Sequence, residues 1–386
     1  MIEFVGLKLD NPVVIASGPL TTDYETIKEA YERGAGAVTL KLTFLEIPFA
    51  SQMRSFSVKD QVLITPTNRR LSLEEGRKLA LKVKKNLPLI TIANIGSIGS
   101  DVRPWKKLAI EFEKCGCDAI ELNFCCPNLE TSEDTLAGTM FAEDVDLCYE
   151  ILKQIRKSVS VPLICKFVYL TNRTALKIAR ASQDAGGDAL HVVGQPMVGL
   201  PPLDEKGRPK IPLLKGISQG STNGPICKYS TFLAAAVLAK NQSLPVIASG
   251  GLSDFKDCLD VISWGATLPS ICTAFLWHGF ERLEKINIGI QDYLEEKQLV
   301  STSQIIGQAL PLLTNPDKLQ ISQGWANIDI DSCSGCGLCL RPAHCRAIVI
   351  DVKKKKSRVI PERCIGCGIC ASLCPNSSIS YVTDIS

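Results

Sequence analysis

Roughly the first 280 residues alternate short apolar runs with amphipathic segments, and this alternation limits the fold more than any other feature. Helical patterns occur, for example, at Tyr24–Arg33, Leu73–Lys85 and Val145–Lys157. Between such patterns lie eight runs with the length and composition of buried strands: Val13–Ala16, Ala37–Leu42, Leu89–Asn94, Ala119–Phe124, Leu163–Phe167, Ala189–Val193, Val246–Ala248 and Leu268–Cys272. Largely apolar strands separated by helices are typical of a parallel sheet covered by helices. The alternation therefore predicts an α/β fold built from eight βα units.

Eight units favour a closed (β/α)8 TIM barrel over an open sheet. The alternative, a doubly wound sheet, would place a glycine-rich phosphate-binding turn directly after the first strand. The segment "ASGPL" at 16–20 does not have that pattern. We therefore predict a barrel over residues 1–315, with functional residues in the loops that follow the carboxyl ends of the strands.

The composition is that of an ordinary folded protein, with 45% hydrophobic and 22% charged residues. A net charge of +3 gives no reason to expect binding to nucleic acid or to a membrane surface. No apolar run approaches the roughly 18 residues of a membrane-spanning helix, and no signal-peptide pattern opens the chain. We therefore predict a cytoplasmic protein with no membrane span.

The last 60 or so residues are rich in cysteine, and the spacing of these cysteines indicates iron–sulfur clusters. "CSGCGLC" begins at residue 333 and "CIGCGICASLCP" begins at residue 364. The second has the spacing C-x2-C-x2-C-x3-C-P of bacterial ferredoxins, in which the fourth cysteine binds the other cluster. Zinc is the alternative, but it typically uses paired C-x2-C motifs. We predict a ferredoxin-like α+β domain over residues 326–386 with two [4Fe–4S] clusters, one held by Cys333, Cys336, Cys339 and Cys374 and the other by Cys345, Cys364, Cys367 and Cys370.

The segment "ELNFCCPN" at 121–128 places polar residues and thiols where the fourth predicted strand ends. In a barrel, Asn123, Cys126 and Asn128 would lie at the catalytic face. A buried asparagine is costly unless its amide is hydrogen-bonded, so these amides are candidates for binding a planar polar ligand. A cysteine can act as a general acid, a general base or a nucleophile. Packing in the core is the alternative for Cys125 and for Cys126.

These residues also carry a resemblance to a known family. "ELNFCCPN" is similar to the active-site run of the dihydroorotate dehydrogenases and dihydropyrimidine dehydrogenases, which read close to "ELNLSCPN" and "ELNLSCPH". "NPVVIASGPL" and "GAGAVTLKLTF" resemble the first two strands of that family, "VPLICKF" its fifth strand, and "VIASGGL" and "SICTAF" its seventh and eighth strands. A barrel followed by a ferredoxin-like tail looks most like the C-terminal half of dihydropyrimidine dehydrogenases, or the bacterial subunit that corresponds to that half.

The resemblance implies that the barrel binds FMN and that Cys126 is the catalytic acid or base. It implies Asn68, Asn123, Asn128 and Gln195 as substrate-binding residues. A cation beside the flavin would stabilise its reduced form, and backbone N–H groups of small residues would hold the phosphate. The FMN-binding residues implied in this way are Ala16, Ser17, Gly18, Lys41, Asn68, Asn94, Lys166, Gly224, Ser249, Gly250, Gly251, Cys272 and Thr273.

The chain departs from the family pattern at two places. Cys125 stands where the family usually has serine, and Gly194–Gln195 stand where it has asparagine followed by threonine or serine. Gln195 could restore one substrate contact, and Gly194 would leave extra room beside the flavin. The resemblance therefore implies an oxidoreductase acting on an activated C=C bond, with C5–C6 of a pyrimidine or related cyclic amide as the expected site. A bulkier unsaturated carbonyl substrate and a non-catalytic electron-transfer subunit are the alternatives.

The chain has no G-x-G-x-x-G turn after a strand, so no dinucleotide site is evident. Electrons would then pass through the clusters to or from a partner. We predict that this partner is an NAD(P)H-oxidising flavoprotein subunit or a soluble ferredoxin, and that the chain works as part of a homo- or hetero-oligomer.

Overall fold

The structure is a computed structural model that describes residues 1–47, 51–126, 138, 141, 144–194 and 197–383. The chain forms two compact units, Met1–Leu313 and Thr314–Ser386. In the part of the chain just given, no helix combines the length and the hydropathy needed to cross a membrane.

Eight parallel strands form a closed barrel in the first unit, which confirms the predicted fold. They are β1 (Val14–Ile15), β2 (Ala37–Thr39), β3 (Ile90–Ile95), β4 (Ala119–Phe124), β5 (Leu163–Val168), β6 (Ala189–Val193), β7 (Val246–Ser249) and β8 (Leu268–Ile271). Each strand pairs with the next along the chain, and β8 pairs with β1 to close the ring. The ends of the predicted strands differ from the observed ends by at most three residues.

The barrel is surrounded by helices whose starts are set by local sequence. They are α1 (Tyr24–Glu32), α2 (Leu73–Asn86), α3 (Val102–Lys114), α4 (Val145–Arg156), α5 (Asn172–Asp184), α6 (Lys228–Asn241), α7 (Phe255–Ser263), α8 (Thr273–His278) and α9 (Glu281–Glu296). Ser72 caps α2 by accepting from the N–H of Glu75, whose carboxylate accepts from the N–H of Ser72. This reciprocal capping satisfies N–H groups that a helix start otherwise leaves unpaired.

The inside of the barrel changes from apolar to polar along its axis. At the amino ends of the strands a ring of apolar side chains, one from each strand, packs in one cluster: Val14, Ala37, Ile92, Ala119, Ile164, Ala189, Ile247 and Leu268. An antiparallel hairpin, Ile2–Phe4 with Leu7–Leu9, packs Ile2, Phe4 and Leu9 against this ring. The hairpin and the ring therefore seal the amino end of the barrel, and polar side chains occupy the carboxyl end.

A second sheet of the first unit was not predicted from the sequence. Four antiparallel strands, in the order Met197–Gly199, Gly220–Asn223, Val62–Thr67 and Arg54–Val58, come from segments that follow different barrel strands. Two further short strands, Thr43–Phe44 and Leu71–Ser72, pair in parallel. Thr65, Ser221 and Asn223 of the four-stranded sheet line the pocket described below, so this sheet forms part of its wall.

The second unit is small and α+β, as expected for a ferredoxin-like domain. Gly324–Ile328 pairs antiparallel with Ile379–Thr383, and Ile348–Asp351 pairs antiparallel with Lys356–Val359. A one-turn helix, α10 (Ile369–Ser372), follows the second cysteine run. Its core contains both apolar side chains and cysteines: Ala326, Ile328, Cys339, Ile348 and Cys370.

Candidate active site

A pocket lies at the carboxyl ends of the barrel strands. The structure brings most of the residues predicted from the sequence into its lining: Ala16, Ser17, Gly18, Lys41, Asn68, Asn123, Cys126, Lys166, Gly224, Ser249, Gly250, Gly251, Cys272 and Thr273.

Three predicted residues do not belong to this group. Asn94 is fully buried and is absent from the pocket lining, but it contacts Asn123, which does line the pocket. Asn128 and Gln195 lie outside the described residues.

The two adjacent cysteines after β4 have different surroundings. Cys125 is buried, and burial raises the pKa of its thiol. Cys126 is only partly buried, and it packs against the apolar side chains of Leu42 and Phe44. Both thiols reach the pocket lining, but Cys126 has the greater exposure of the two.

The amide of Asn123 is held in one orientation by its neighbours. Its Oδ1 accepts from the backbone N–H of Cys125 at 3.1 Å, and its Nδ2 donates to Oδ1 of Asn94 at 3.1 Å. The Nδ2 of Asn94 donates in turn to the carboxylate of Glu121. A carboxylate only accepts hydrogen bonds, so the chain of donors runs in one direction toward Glu121.

Glu121 and His191 lie directly below the pocket, and the sequence analysis did not select either of them. The Glu121 carboxylate pairs with the Lys166 ammonium at 3.1 Å and with Nδ1 of His191. The Nε2 of His191 lies 2.9 Å from the hydroxyl of Ser249. We call Asn94, Glu121, Lys166 and His191 the buried network, and each of them is at most 6% exposed.

The buried network has a well-defined charge. Burial opposes ionisation of Glu121, but Lys166 and His191 outweigh it and hold the pKa of Glu121 below its ordinary value. Burial also opposes the charge of Lys166, but Glu121 and the neighbouring thiols raise its pKa above the ordinary value. Burial lowers the pKa of His191 despite the attraction of Glu121. Near neutral pH the network therefore holds one carboxylate, one ammonium and one neutral imidazole.

Lys41 has the opposite environment to Lys166, although both line the pocket. Burial and the nearby Arg70 lower the pKa of Lys41 to about 7, against the attraction of the thiols of Cys126 and Cys272. Arg70 is buried in the pocket lining as well, and the sequence analysis did not select it.

A sequence signal for Glu121 and His191 did exist. Each is a polar residue inside an otherwise buried strand, β4 or β6. Because strand side chains alternate between faces, Glu121 shares the inward face with Ala119 and Asn123. A carboxylate two residues before a strand-end asparagine therefore points into the barrel.

The glycines at the pocket suit a ligand that contacts the backbone. Gly250 and Gly251 have φ of +116° and +79°, which L side chains rarely adopt. A Cβ on Gly251 would lie 2.5 Å from the backbone nitrogen of Lys228 and 2.7 Å from the carbonyl oxygen of Gly224, so these segments pack backbone to backbone. α6, which starts at Lys228, has no side-chain cap, and the backbone N–H of Lys228 donates to the carbonyl oxygen of Pro225.

Two side-chain atoms of the pocket lining have unmet hydrogen-bonding capacity. Oδ1 of Asn68 and Oγ of Ser270 are buried and have no hydrogen-bond partner among the described residues. Buried polar atoms are almost always paired in proteins, so a polar ligand is expected here. Together with the Lys166 ammonium and the glycine backbone, these atoms fit a ligand with a phosphate and a polar ring system, as in FMN.

Gly194 does not leave extra room in the pocket, and this corrects the expectation from the sequence. A Cβ at this position would lie 2.0 Å from Oγ1 of Thr231 and 2.9 Å from the carbonyl oxygen of Cys227. The space beside Gly194 is therefore filled by the start of α6. Glycine at this position is required by packing of the helix against β6.

The eight cysteines of the second unit divide into two groups as their spacing predicts. One cavity is lined by Cys333, Cys336, Cys339 and Cys374, and another by Cys345, Cys364, Cys367 and Cys370. Backbone N–H groups of Ala326 and Ser378 donate to sulfurs of the two groups at 3.3 Å. Among the described residues, no three His, Cys, Asp or Glu side chains are placed to hold a single metal ion. Each cavity, by contrast, has the four thiols that a [4Fe–4S] cluster needs.

Comparison with known proteins places the barrel in a family. The profile of the family described as "Dihydroorotate dehydrogenase" matches residues 1–294, and "4Fe-4S binding domain" matches residues 358–380. The chain belongs to the dihydroorotate dehydrogenase family, whose members bind FMN and oxidise or reduce CH–CH groups. The second match contains the cysteine run that begins at Cys364, and it indicates a [4Fe–4S] cluster there.

Curated relatives match most of the chain at low identity. The "NAD-dependent dihydropyrimidine dehydrogenase subunit PreA" of Escherichia coli is 23% identical over 352 residues, covering 88% of this chain and 84% of the relative. The "Dihydroorotate dehydrogenase B (NAD(+)), catalytic subunit" of Pyrococcus furiosus is 27% identical over 314 residues, covering 80% of this chain and 98% of the relative. The protein of the same name from Methanocaldococcus jannaschii is 28% identical over 312 residues, covering 79% and 96%. The chain is therefore a flavin-dependent oxidoreductase.

Proposed function

We propose that the protein reduces or forms the C5–C6 double bond of a pyrimidine or related cyclic amide, with Cys126 as the general acid or base. The observation that carries this proposal is that Cys126, Asn68 and Asn123 line one pocket together with Lys41 and Lys166. The pocket thus combines a proton-transfer group, amides for a planar ring and cations for a cofactor. The relatives named for dihydropyrimidine and dihydroorotate dehydrogenation support the same substrate class.

Each side chain has a task that follows from its chemistry. FMN, when bound in the barrel, supplies the two-electron chemistry at the substrate C=C bond. Lys166 stays protonated because of Glu121 and stabilises negative charge on the ligand beside it. Asn123 donates an N–H to a ring carbonyl. Cys126 transfers the proton, since its thiol is the more exposed of the adjacent pair.

We propose that FMN is held by the predicted residues of the pocket lining, with its phosphate at the backbone of Gly224, Gly250, Gly251 and Thr273. The positive φ angles of the first three and the absence of a side-chain cap at the start of α8 support this assignment. We assign Asn94 an indirect role, because it orients Asn123 from below the pocket. The tasks of Asn128 and Gln195 in substrate binding remain predictions from the resemblance.

We further propose that the second unit, residues 326–386, carries two [4Fe–4S] clusters that exchange electrons with a partner. The two separate cysteine-lined cavities support the second cluster, whose ligands lie largely outside the matched iron–sulfur segment. The relatives are named as subunits of NAD-dependent enzymes, which supports an NAD(P)H-oxidising flavoprotein subunit as the partner in a hetero-oligomer in the cytoplasm. Soluble ferredoxin is the second candidate for this partner.

The proposal is tested by anaerobic titration of the FMN-reconstituted, chemically reduced chain. Uracil, thymine, orotate and a bulky cyclic enone are added separately, and return of oxidised flavin absorbance is followed. We expect at least one pyrimidine to reoxidise the flavin in the wild type but not in a Cys126→Ala chain, and a Cys125→Ala chain to behave as the wild type does. Reoxidation by the enone alone would replace the pyrimidine assignment, and reactivity with none of them would favour an electron-transfer subunit.

A further inference from the structure

Glu121 is the centre of the buried network, and the proposed reaction does not use it directly. It has no exposed surface, and its two oxygens contact three different side chains: Lys166, Asn94 and His191. Two hydrogen-bonded paths lead from it back to the pocket lining, one ending at Asn123 and the other at Ser249. A carboxylate in this position determines the direction of every hydrogen bond along both paths.

The first path makes Asn123 a donor toward the pocket. Glu121 can only accept, so the side-chain nitrogen of Asn94 must face it. The oxygen of Asn94 then accepts from Asn123, whose own oxygen accepts from the N–H of Cys125. The amide nitrogen of Asn123 carries two hydrogens, and this path uses one of them. The second N–H is available to an acceptor such as a carbonyl.

The second path makes Ser249 an acceptor toward the pocket. Nδ1 of His191 faces Glu121 and must carry the hydrogen. A neutral imidazole has a single N–H, so Nε2 accepts from the hydroxyl of Ser249 at 2.9 Å. Burial and Lys166 lower the pKa of His191 against the pull of Glu121, which supports the neutral form. The hydroxyl hydrogen of Ser249 is thereby used, and only its lone pairs remain for a ligand.

We propose that Glu121 is a positioning residue that sets the hydrogen-bond polarity of the pocket, making Asn123 a donor and Ser249 an acceptor toward the bound ligand. A ligand that fits this pattern offers a carbonyl to Asn123 and a hydroxyl or N–H group to Ser249. Phosphate oxygens do not suit Ser249, since they are acceptors as well. The inference deepens the proposed function and rests on it for the identity of the cofactor, whereas the hydrogen-bond directions rest on the chain alone.

The direct test is the tautomer of His191, read by ¹⁵N NMR of the ¹⁵N-histidine-labelled, FMN-reconstituted chain. The chain has three histidines, so a His191→Asn chain identifies the signal. We expect the Nδ1–H tautomer as the main species at about pH 7.5, where a free imidazole is largely neutral. The groups facing this ring are Glu121, Lys166 and Ser249. An Nε2–H tautomer or a charged imidazole at this pH would overturn the proposal.

A Glu121→Gln chain tests the dependence on the carboxylate. The amide oxygen would face the donors Lys166 and Asn94, so its nitrogen would face Nδ1 of His191. His191 must then carry its hydrogen on Nε2, donate to Ser249 and release the serine hydroxyl toward the pocket. We expect the NMR signature of His191 to switch to the Nε2–H tautomer. The same tautomer in both chains would mean that Glu121 does not set the polarity.

FMN affinity gives a second measurement that does not require a folded Glu121→Gln chain. Ser249→Ala removes the acceptor and keeps the four side chains of the buried network, although Nε2 of His191 loses its donor. We expect FMN to bind about tenfold more weakly, which corresponds to ~1.4 kcal/mol. His278→Asn is the matched control, because His278 pairs with Asp60 outside the pocket lining, and it should bind FMN as the wild type does. An unchanged affinity in Ser249→Ala would contradict the assigned acceptor. A wild-type chain that takes up no FMN would instead contradict the proposed function, and the tautomer test on the FMN-free chain would still decide this inference.

Discussion

Replacing Lys41 by methionine should change how the stability of the barrel depends on pH. The lysine is 3% exposed, and burial together with Arg70 lowers its pKa from 10.5 to about 7. The unfolded chain therefore keeps the Lys41 proton at pH values where the folded chain has released it. Stability rises with pH wherever the unfolded state binds more protons, so this lysine destabilises the folded chain most below pH 7 and progressively less up to its unfolded pKa.

The size of the effect follows from the two pKa values. Between pH 7 and pH 9 a group with these values adds ~2 kcal/mol to the free energy of unfolding. Methionine has a similar length and no charge, so Lys41→Met should stabilise the chain. This stabilisation should be ~2 kcal/mol smaller at pH 9 than at pH 7. The other titrating groups are present in both chains, so their contributions cancel when the two free energies of unfolding are subtracted.

The assay is urea unfolding of the FMN-free chain, followed by circular dichroism at pH 7, 8 and 9. Lys228→Met is the matched control, because the hydrogen bond of Lys228 to Asp257 raises its pKa above the ordinary value. The difference in unfolding free energy between Lys228→Met and the wild type should stay constant from pH 7 to pH 9. Curves for Lys41→Met and the wild type that run parallel from pH 7 to pH 9 would refute the assigned pKa of Lys41.

Three further changes test the site, the packing and the clusters. Cys126→Ala should keep FMN absorbance but lower turnover by ~10²–10⁴-fold, the usual contribution of a general acid or base, whereas Cys125→Ala should retain turnover; equal losses would contradict the assignment. Gly194→Ala should lower the free energy of unfolding by ~1–3 kcal/mol in urea titrations because of overpacking. Adding Thr231→Ala should recover part of this loss, since Oγ1 of Thr231 is the nearest atom to the new Cβ. No recovery would argue against this contact. Cys374→Ser should lose one cluster and about half of the bound iron, measured by iron analysis and electron paramagnetic resonance. Loss of both clusters or of neither would contradict the grouping of the cysteines.

The barrel strands could be predicted because the chain marks them in two ways. Ala119–Phe124 and Ala189–Val193 are apolar runs of the right length, each preceded by a glycine that ends the helix before it, and both were predicted with the observed bounds. The four-stranded antiparallel sheet gave no such signal. The strand Arg54–Val58 is partly exposed, so no apolar run marks it, although it forms a hairpin with Val62–Thr67. The pairing of Val62–Thr67 with Gly220–Asn223 joins segments that are distant in sequence, so no short turn marks it.

The residues of the candidate site also fall into those that the sequence marks and those that it does not. Cys126, Asn123 and the glycines could be predicted because they belong to recognisable motifs at strand ends. Glu121 and His191 had a sequence signal that was not used, since each is a polar residue inside a buried strand. Arg70 could not be predicted, because its role depends on which side chains the fold brings close. The expectation for Gly194 was wrong because a glycine in the sequence does not show whether a neighbouring helix fills the space beside it. Here Thr231 of α6 fills that space.

The sealed amino end of the barrel has a consequence for exchange with solvent. Among the described residues, the hairpin of Ile2–Phe4 and Leu7–Leu9 and the apolar ring above it close the amino end of the barrel, so the buried network reaches water through the pocket mouth. When a ligand covers the mouth, Glu121, His191 and Lys166 cannot trade hydrogens with the bulk until the ligand leaves or the barrel opens. Deuterium should then enter the imidazole N–H of His191 at a rate set by ligand release. The number of protons in the site is thus decided when the ligand binds and is kept through the turnover that follows.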